Sequence, residues 1–470
     1  MSLPLTGVIA LGRATFDVPY AEERLAAMWA ALDAAGVPTV GERALAFDAD
    51  AARAGLARAQ AAGAGRLLLL QVTFTDAAAT AAIARAFDGP LDIWALPEPR
   101  AGGRLRLNSF CGLNLAAHAL GLRGRPFGWL HADPEAPDAP AALAALLSAT
   151  PVVPALPLSP PDAPADGPGA TAARALRGLR IGRIGMHPDG FDTCAYDPAR
   201  LQALAGAEVA EVALDDLFAR ARALPEAAVA PVREAAEAVA TGLEGVDQSQ
   251  LDRSLRLKAA LDGLRAERGF GAMAIRCWPE TFTEYGGAVC GPVALLGEGG
   301  TPCACEADVY GALSQRLVQD IAAAPVFLVD LVDVDPADDS AVVWHCGQAP
   351  ASMRDPEVPA TATIHTNRRM PLLFEFPLRP GRVTLARISQ ARGRTFLALA
   401  SAEVIRRPMA FTGTSGVLRF DAPAEAVRAR LLDAGLEHHM VLAYGDHRAA
   451  LHAAAATLDL SVLDLTGPVT

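Results

Sequence analysis

A run of consecutive leucines within residues 66–75, RLLLLQVTFT, constrains the fold more than any other feature of the chain. A strand that is apolar on both faces fits a sheet that is covered by helices on both sides. Shorter apolar segments at residues 6–11, 92–96 and 127–131 have the same character, and Ala-rich stretches lie between them. Strands that alternate with helices, with no hairpin dipeptides between them, predict an open parallel α/β sheet.

The rest of the chain divides into a linker and two further units. Residues 151–170, PVVPALPLSPPDAPADGPGA, are rich in Pro and Ala without periodicity and predict a partly extended linker. Strands alternating with helices resume over residues 171–324 and predict a second α/β unit. Residues 325–470 contain short strands in succession without intervening helices, which indicates an antiparallel sheet or barrel.

The composition of the chain limits which classes of function it can have. The chain has 470 residues, so two or three domains are expected, and 52% apolar against 20% charged residues permits a large core. A formal charge of -12 argues against nucleic acid or an anionic membrane as the main partner. No apolar run reaches the length of a membrane span, and the seven cysteines lack framework spacing, so we expect a soluble cytoplasmic protein.

Polar residues that follow apolar segments are concentrated between Trp278 and Tyr310. Glu284 and Asp308 lie there, and a buried carboxylate is costly unless it is paired, protonated or bound to a metal. Several histidines follow much later, within residues 437–447, EHHMVLAYGDH. Two carboxylates and an imidazole form a fairly hard ligand set, which favours Mn²⁺, Fe²⁺ or Mg²⁺ over a structural zinc.

Two other metal sites are weaker alternatives. Cys303 and Cys305 have no second cysteine pair, so we expect buried thiols rather than a zinc site. Asp330, Asp333 and Asp335 resemble calcium ligands, but no glycine-kinked loop accompanies them, and we expect a solvated strand face.

Three short regions resemble the L-fucose isomerase and L-arabinose isomerase superfamily, in particular its short L-fucose isomerase-like members. They are the spacing from Glu284 to Asp308, the sequence CEADVYGAL around Asp308, and the H-x-x-x-x-Y-G that begins at His439. The resemblance implies a divalent metal on Glu284, Asp308 and His439, commonly Mn²⁺, with Fe²⁺, Co²⁺ or Mg²⁺ as alternatives. It also implies aldose–ketose isomerisation through an enediol, with Glu284 and Asp308 as the acid/base pair.

Together with the strand pattern, the resemblance implies an α/β fold with two Rossmann-like open parallel α/β domains, residues 1–150 and 171–324. A C-terminal antiparallel β-barrel domain over residues 325–470 would carry the metal histidine. His438 and His439 would face opposite sides of a strand, and the family spacing selects His439. The resemblance further implies a homo-oligomer, a trimer or a hexamer.

Residues at predicted strand ends are candidates for sugar contacts, because ligands bind at the carboxyl ends of parallel strands. Asn108 has a structural alternative, since it could cap the helix that follows it. His345 could be a metal ligand, a sugar contact or a core histidine, and we favour the sugar contact. The expected substrate contacts are Arg13, Asn108, Trp278, His345 and Tyr444.

The predicted function is therefore metal-dependent isomerisation of a small sugar. L-fucose, D-arabinose, L-arabinose and a sulfonated hexose are not distinguished by these residues. A metal-dependent lyase or epimerase that uses the same enediolate is the first alternative. A non-catalytic sugar-binding protein is the second, and it would not need two potential bases beside a cation.

Overall fold

The computed structural model describes residues 4–468 and has a mixed α/β fold. It contains two parallel sheets and one larger sheet of nine strands that is mostly antiparallel. In the described part of the chain, no helix combines the length and the apolar character needed to cross a membrane.

The first sheet consists of five parallel strands that alternate with helices. The strands are β1 (Thr6–Leu11), β2 (Thr39–Ala46), β3 (Arg66–Gln71), β4 (Leu91–Ala95) and β5 (Gly128–His131). The helices are α1 (Val18–Ala34), α2 (Ala49–Ala61), α3 (Ala78–Ala86), α4 (Ser109–Leu122) and α5 (Ala139–Ser148). The strand order is β2-β1-β3-β4-β5, so the predicted parallel sheet is confirmed.

The leucine run explains why this sheet has helices on both faces. Alternate leucines of β3 pack into two separate cores, Leu67 and Leu69 against α2, α3 and α4, and Leu68 and Leu70 against α1 and α5. Strand β2 is not predicted by the apolar pattern, because it is the edge strand and its residues 41–44 are exposed.

The second sheet has four parallel strands. They are β6 (Arg180–Ile184), β7 (Glu208–Val212), β8 (Ala272–Ile275) and β9 (Cys303–Ala304), arranged β7-β6-β8-β9. Its helices are α6 (Gly167–Ala175), α7 (Pro198–Ala205), α8 (Leu214–Ala223), α9 (Glu226–Val239), α10 (Gln248–Arg268), α11 (Cys290–Glu298) and α12 (Val309–Ala322). Helix α6 begins inside the predicted linker, residues 151–170.

The third sheet contains nine strands and is accompanied by two helices, α13 (Ala424–Ala434) and α14 (Arg448–Thr457). The strands are β10 (Phe327–Asp335), β11 (Ser340–His345), β12 (Thr361–Thr363), β13 (Leu373–Pro377), β14 (Gly381–Ser389), β15 (Phe396–Ile405), β16 (Thr414–Phe420), β17 (His439–Tyr444) and β18 (Val462–Asp464). Their order is β12-β13-β16-β11-β10-β17-β14-β15-β18.

Six strands of the third sheet are linked in a ring. Strand β15 pairs with β16 as well as with β14, so the antiparallel pairings run β16-β11-β10-β17-β14-β15 and return to β16. Strand pairs β13–β16 and β15–β18 are parallel.

The three sheets meet around one cavity. Helix α4 contacts β10 and α13, and helix α12 contacts β14 and β17. The residues that follow β1, β3 and β8 therefore lie near β10, β11 and β17, and side chains from all three sheets line the same cavity.

Candidate active site

The cavity brings four of the predicted sugar contacts together. Arg13 follows β1, Asn108 precedes α4, Trp278 follows β8 and His345 ends β11, and all four line the cavity. Apolar and aromatic side chains form much of the remaining wall. They include Phe16, Phe74, Phe282 and Trp344.

His439 is buried behind the polar end of this cavity, next to the lining residues Glu306 and Asp330. Strand β17 pairs with β10 so that His439 lies directly opposite Asp330. His439 Nε2 is 3.5 Å from Asp330 Oδ1 and 3.6 Å from Glu306 Oε2. Neither His439 Nε2 nor Asp330 Oδ1 makes a hydrogen bond, although both atoms are buried. An unpaired buried polar atom costs about 1–3 kcal/mol, so two of them facing one point indicate a bound group.

His439 Nε2 lies close enough to each of the two carboxylates to share a divalent cation with it. Two donor atoms bonded to one ion at about 2.1 Å each lie up to about 4.2 Å apart, and both measured separations are shorter. Two carboxylates with one imidazole are also ligands that Mn²⁺ and Fe²⁺ accept. Two groups of potential metal ligands, each with its donor atoms within 4.8 Å of one another, share His439. The first group is Cys194, Glu306, His438 and His439. The second is Asp330, His345 and His439.

Glu306 is held in an unusual backbone conformation. Its φ of 60° lies in the left-handed region, and Ala307 follows with a φ of 53°. For residues other than Gly this conformation is strained and persists where the surroundings require it. Its carboxylate hydrogen-bonds His438 Nε2 at 2.9 Å and Trp278 Nε1 at 3.3 Å. Burial raises the pKa of Glu306, but the hydrogen bond and positive charge of His438 outweigh it and lower the pKa to about 2.

His345 adds another unpaired nitrogen. Its Nδ1 accepts the backbone N–H of Cys346 at 2.9 Å, and its Nε2 is buried without a partner. The ring stacks against His439 with centroids 5.6 Å apart. Because Nδ1 accepts, Nε2 carries the ring proton, and His345 presents an N–H donor to the cavity beside Asp330.

Asp308, predicted as a metal ligand, lies on the Nδ1 side of His439, whereas Glu306 and Asp330 lie on the Nε2 side. Its Oδ2 is 2.9 Å from His439 Nδ1, and its two oxygens accept from Arg387 at 2.7 and 3.0 Å. It also accepts the N–H of Gly311 at 2.8 Å as the N-cap of α12. Burial opposes ionisation of Asp308, but the charge of Arg387 and these hydrogen bonds hold its pKa far below the ordinary value. Asp308 thus orients the imidazole and leaves Nε2 toward Asp330 and Glu306.

The structure does not bring Glu284 to the cavity. Glu284 lies on the turn Thr281–Tyr285, where Phe282 and Tyr285 are buried and the Glu284 side chain is exposed. Its carbonyl oxygen accepts from Arg222 at 3.0 Å. The structure therefore places the predicted ligand Glu284 outside the cavity, and Glu306 among the residues that line it.

Tyr444 is also outside the cavity. Residues of a strand alternate between its two faces, and Tyr444 is an odd number of positions from His439, so it faces the other side of β17. Its hydroxyl donates to the carbonyl of Arg379 at 2.5 Å.

The expectation that only one of the adjacent histidines faces the site needs correction too. Strand β17 begins at His439, so strict alternation does not apply to His438. The two rings lie 3.9 Å apart by centroids, and both approach Glu306. Burial lowers the pKa of His438, but the hydrogen bond to Glu306 raises it more.

Asn108 does not act as a side-chain cap. No side-chain hydrogen bond caps α4, and Asn108 Oδ1 is buried without a partner at the cavity. Glu98 holds this segment, because its carboxylate accepts the N–H of Leu107 and Asn108 at 3.0 and 2.7 Å. Burial raises the pKa of Glu98 to about 7 despite these hydrogen bonds.

Two alternatives from the sequence are also resolved in part. Cys303 and Cys305 are buried free thiols, as expected. Asp330 and Asp333 are buried, so the expected solvated strand face is wrong for these two residues. Asp333 pairs with Arg100 at 2.7 Å, whereas Asp330 faces His439.

Some cavity residues have no counterpart among the predicted contacts. Glu306 and Asp330 have the same separation along the chain as Glu284 and Asp308, so spacing alone does not distinguish the two pairs. A short segment before β13 supplies three more polar lining residues. These residues are His365, Asn367 and Arg368.

Comparison with known proteins identifies relatives along most of the chain. A family model described as fucose/sulfoquinovose isomerase, N-terminal domain, matches residues 7–156. A sulfoquinovose isomerase of Alkalicoccus urumqiensis is 31% identical over 396 residues, which cover 84% of each chain. A sulfoquinovose isomerase of Clostridium sp. (strain MSTE9) is 32% identical over 400 residues, covering 84% of this chain and 85% of that relative. A third, from Priestia aryabhattai, is 28% identical over 382 residues, or 81% of each chain.

Proposed function

Because this chain belongs to the fucose/sulfoquinovose isomerase family, we propose that it isomerises sulfoquinovose with a divalent cation held by Glu306, Asp330 and His439. The chain is an aldose–ketose isomerase of sugars. The relatives named above are sulfoquinovose isomerases, which supports a hexose with a sulfonate at C6 as the substrate. The observation that carries the metal proposal is the pair of unpaired buried atoms, His439 Nε2 and Asp330 Oδ1, that face each other at 3.5 Å.

The donor set suits Mn²⁺ best, with Fe²⁺, Co²⁺ or Mg²⁺ as alternatives. When bound, such a cation stabilises the negative charge that develops on the sugar oxygens during enolisation. Asp308 keeps His439 in the tautomer with a proton on Nδ1, so that Nε2 is a free ligand.

Glu306 and Asp330 supply the two carboxylates that the reaction needs. One accepts the proton from sugar C2 and returns it to C1, while the other moves a hydroxyl proton between O1 and O2. His438 and Trp278 hydrogen-bond the two oxygens of Glu306 and fix the direction of its carboxylate. The apolar wall around them limits the water near the reacting carbons, which strengthens the electrostatic interactions there.

Isotope exchange tests this proposal directly. Sulfoquinovose is incubated in D₂O with Mn²⁺ and with the wild type, Glu306→Gln or Glu284→Gln, and deuterium is followed at C1 and C2. Glu284→Gln is the matched control, because it makes the same change at the exposed position. We expect deuterium in the ketose and the aldose with the wild type and the control, only with metal, and none with Glu306→Gln.

Other outcomes assign the reaction differently. Loss of exchange in Glu284→Gln, with activity retained in Glu306→Gln, contradicts the proposed carboxylate. Exchange that yields an epimer or a shorter product, and no ketose, favours the epimerase or lyase alternative. Full activity after complete removal of divalent metal contradicts the metal proposal.

We also propose that the three sheets correspond to three domains, residues 1–150, 171–324 and 325–470, and that the ring of six strands is the barrel of the last. Family resemblance further supports a cytoplasmic trimer or hexamer. Light scattering of the purified protein measures the oligomer, and limited proteolysis within residues 151–166, which have little regular structure, tests the first boundary.

A further inference from the structure

Two guanidinium groups lie against one indole ring in the cavity. Arg13 Cζ is 5.2 Å from the Trp278 ring centroid, and Arg368 Cζ is 5.5 Å from it. Trp278 Nε1 in turn hydrogen-bonds Glu306 at 3.3 Å. One side chain therefore connects the candidate metal carboxylate with a pair of cations.

The two arginines differ in how their charge is compensated. Arg13 pairs with Asp76 at 2.6 Å. Within residues 4–468, no carboxylate forms an ion pair with Arg368, and Arg13 is the charged group that affects its pKa most. Burial lowers the pKa of Arg368, and the positive charge of Arg13 lowers it further.

Asp76 and Glu306 both stabilise the charge of Arg13. In the described chain no carboxylate does the same for Arg368, so Arg368 leaves one positive charge uncompensated beside an aromatic wall. A half-buried site of this kind is stabilised by an anion, and one excess charge matches a singly charged one.

Arg368 is held in place by its neighbours rather than projecting freely. His365 Nδ1 accepts the N–H of Asn367 at 3.2 Å and that of Arg368 at 3.3 Å. Arg104 donates to Asn367 Oδ1 at 3.0 Å and to the carbonyl of Thr15 at 2.7 Å, which ties this turn to the first sheet. A restrained guanidinium loses less entropy when it binds an oxyanion.

We infer that Arg368, together with Arg13 across Trp278, binds the sulfonate of the substrate and that Arg368 determines the preference for a singly charged group at C6. The inference rests on the proposed function for the reacting end of the sugar. A sulfonate offers three acceptor oxygens and one charge, and guanidinium groups bind such oxyanions through paired N–H donors. A phosphate ester has the same shape and a second negative charge, which this site leaves unpaired.

The test compares three hexoses that differ at C6: sulfoquinovose, quinovose with a methyl group, and glucose 6-phosphate. Their kcat/KM values are measured with the wild type, Arg368→Gln, Arg368→Lys and Arg369→Gln. Arg369 is the matched control, because it is the adjacent arginine and is exposed. Substrate binding to each protein is also measured by calorimetry in the inactive Glu306→Gln background.

We expect Arg368→Gln to raise KM for sulfoquinovose by about 10- to 100-fold, the range for one hydrogen-bonded charge. Its rate with quinovose should not change, Arg368→Lys should recover part of the loss, and Arg369→Gln should behave as the wild type. The wild type should prefer sulfoquinovose to glucose 6-phosphate. An equal loss of activity on quinovose and sulfoquinovose, or an unchanged preference, overturns the inference.

The two proposals fail in distinguishable ways. If Arg368→Gln isomerises sulfoquinovose as well as the wild type does, the sulfonate site is wrong and the proposed function stands. If the wild type binds sulfoquinovose in an Arg368-dependent manner but produces no ketose, the proposed function fails and the sulfonate site stands. A preference for glucose 6-phosphate that Arg368→Gln abolishes identifies a phosphate site instead and contradicts the choice of a singly charged ligand.

Discussion

The two sides of the His439 imidazole both face carboxylates, yet they have opposite character. On the Nδ1 side, Asp308 accepts from the imidazole at 2.9 Å and from Arg387 at 2.7 Å. On the Nε2 side, Asp330 and Glu306 lie 3.5 and 3.6 Å away, and Nε2 itself has no hydrogen-bond partner. The first side is closed by the protein, and the second is open to a ligand.

Burial alone does not distinguish the two sides, since Asp308 and Asp330 are both buried. The difference lies in whether the polar atoms are paired within the chain. A paired carboxylate restrains its neighbours, and an unpaired one keeps its charge for a bound cation. The comparison therefore predicts that an Asp→Asn substitution affects catalysis on the Nε2 side and stability on the Nδ1 side.

The largest effect is expected from Asp330→Asn, which removes a carboxylate from the open side. The amide binds a divalent cation weakly and cannot accept a proton from carbon, so kcat should fall about 10³-fold or more. Calorimetric titration with Mn²⁺ should show weaker binding. Asp335→Asn is the control on the same strand, because Asp335 lies outside the cavity and accepts from turn N–H groups. Equal activity of the two variants would remove the distinction between the sides.

Asp308→Asn, on the closed side, should act through structure. It leaves the buried Arg387 with only Glu437, 3.5 Å away, as a carboxylate partner, and breaking a buried pair in this way costs up to about 3–5 kcal/mol of unfolding free energy. It should also weaken Mn²⁺ binding about 10- to 100-fold, because His439 is no longer held. Denaturant unfolding and metal titration measure the two losses separately.

A second substitution separates those losses. Arg387→Met in the Asp308→Asn background removes the incompletely paired guanidinium and should restore part of the stability, because Glu437 keeps its hydrogen bonds from Ser389 and Gln390. It should not restore Mn²⁺ affinity, since the imidazole still lacks its carboxylate. Recovery of both properties together would show that Asp308 acts on stability alone.

Both ring nitrogens of His131 have partners within the protein. We expect this histidine to have a smaller effect, a pH-dependent change in the free energy of unfolding. Its nitrogens contact the carbonyl of Leu96 and the guanidinium of Arg428. Burial, and then the charge of Arg428, lower its pKa from 6.5 to about 3. Between these values the unfolded chain binds a proton that the folded chain does not, so acid destabilises the fold by about 1.4 kcal/mol per pH unit.

Denaturant midpoints from pH 8 down to pH 4 test this. The His131 contribution is fully present above pH 6.5 and is lost as the pH falls toward 3. His131→Gln removes the titrating group, so its midpoint should fall less steeply below pH 6.5 than that of the wild type. Parallel curves for the two proteins would contradict the assignment.

Much of the fold follows from apolar patterning, because buried strands and amphipathic helices have distinct periods. The leucine run correctly predicts a parallel sheet with helices on both faces, as the two cores on either side of β3 show. Strand β2 is missed, because an exposed edge strand is stabilised by its backbone pairing with β1 rather than by apolar side chains.

The site is predicted less completely, since its ligands are defined by contacts between distant segments. Arg13, Trp278 and His345 do reach the cavity, as their positions at strand ends suggest. The carboxylates do not follow from spacing, because Glu284 and Asp308 have the same separation as Glu306 and Asp330. Only the three-dimensional structure shows which pair lies beside Nε2 of His439.

The smallest expected effect is that of a substitution at Tyr444, which tests whether strand alternation decides which residues of β17 reach the cavity. Tyr444 belongs to the sequence motif that selects His439, but it faces the other side of the strand and donates to the carbonyl of Arg379. Tyr444→Phe should therefore cost about 1 kcal/mol of unfolding free energy and leave kcat/KM for the sugar unchanged. Steady-state kinetics and denaturant unfolding of the one variant measure both quantities. A loss of kcat/KM without a loss of stability would place the Tyr444 hydroxyl on the sugar, and would mean that strand alternation does not decide which residues of this motif reach the cavity.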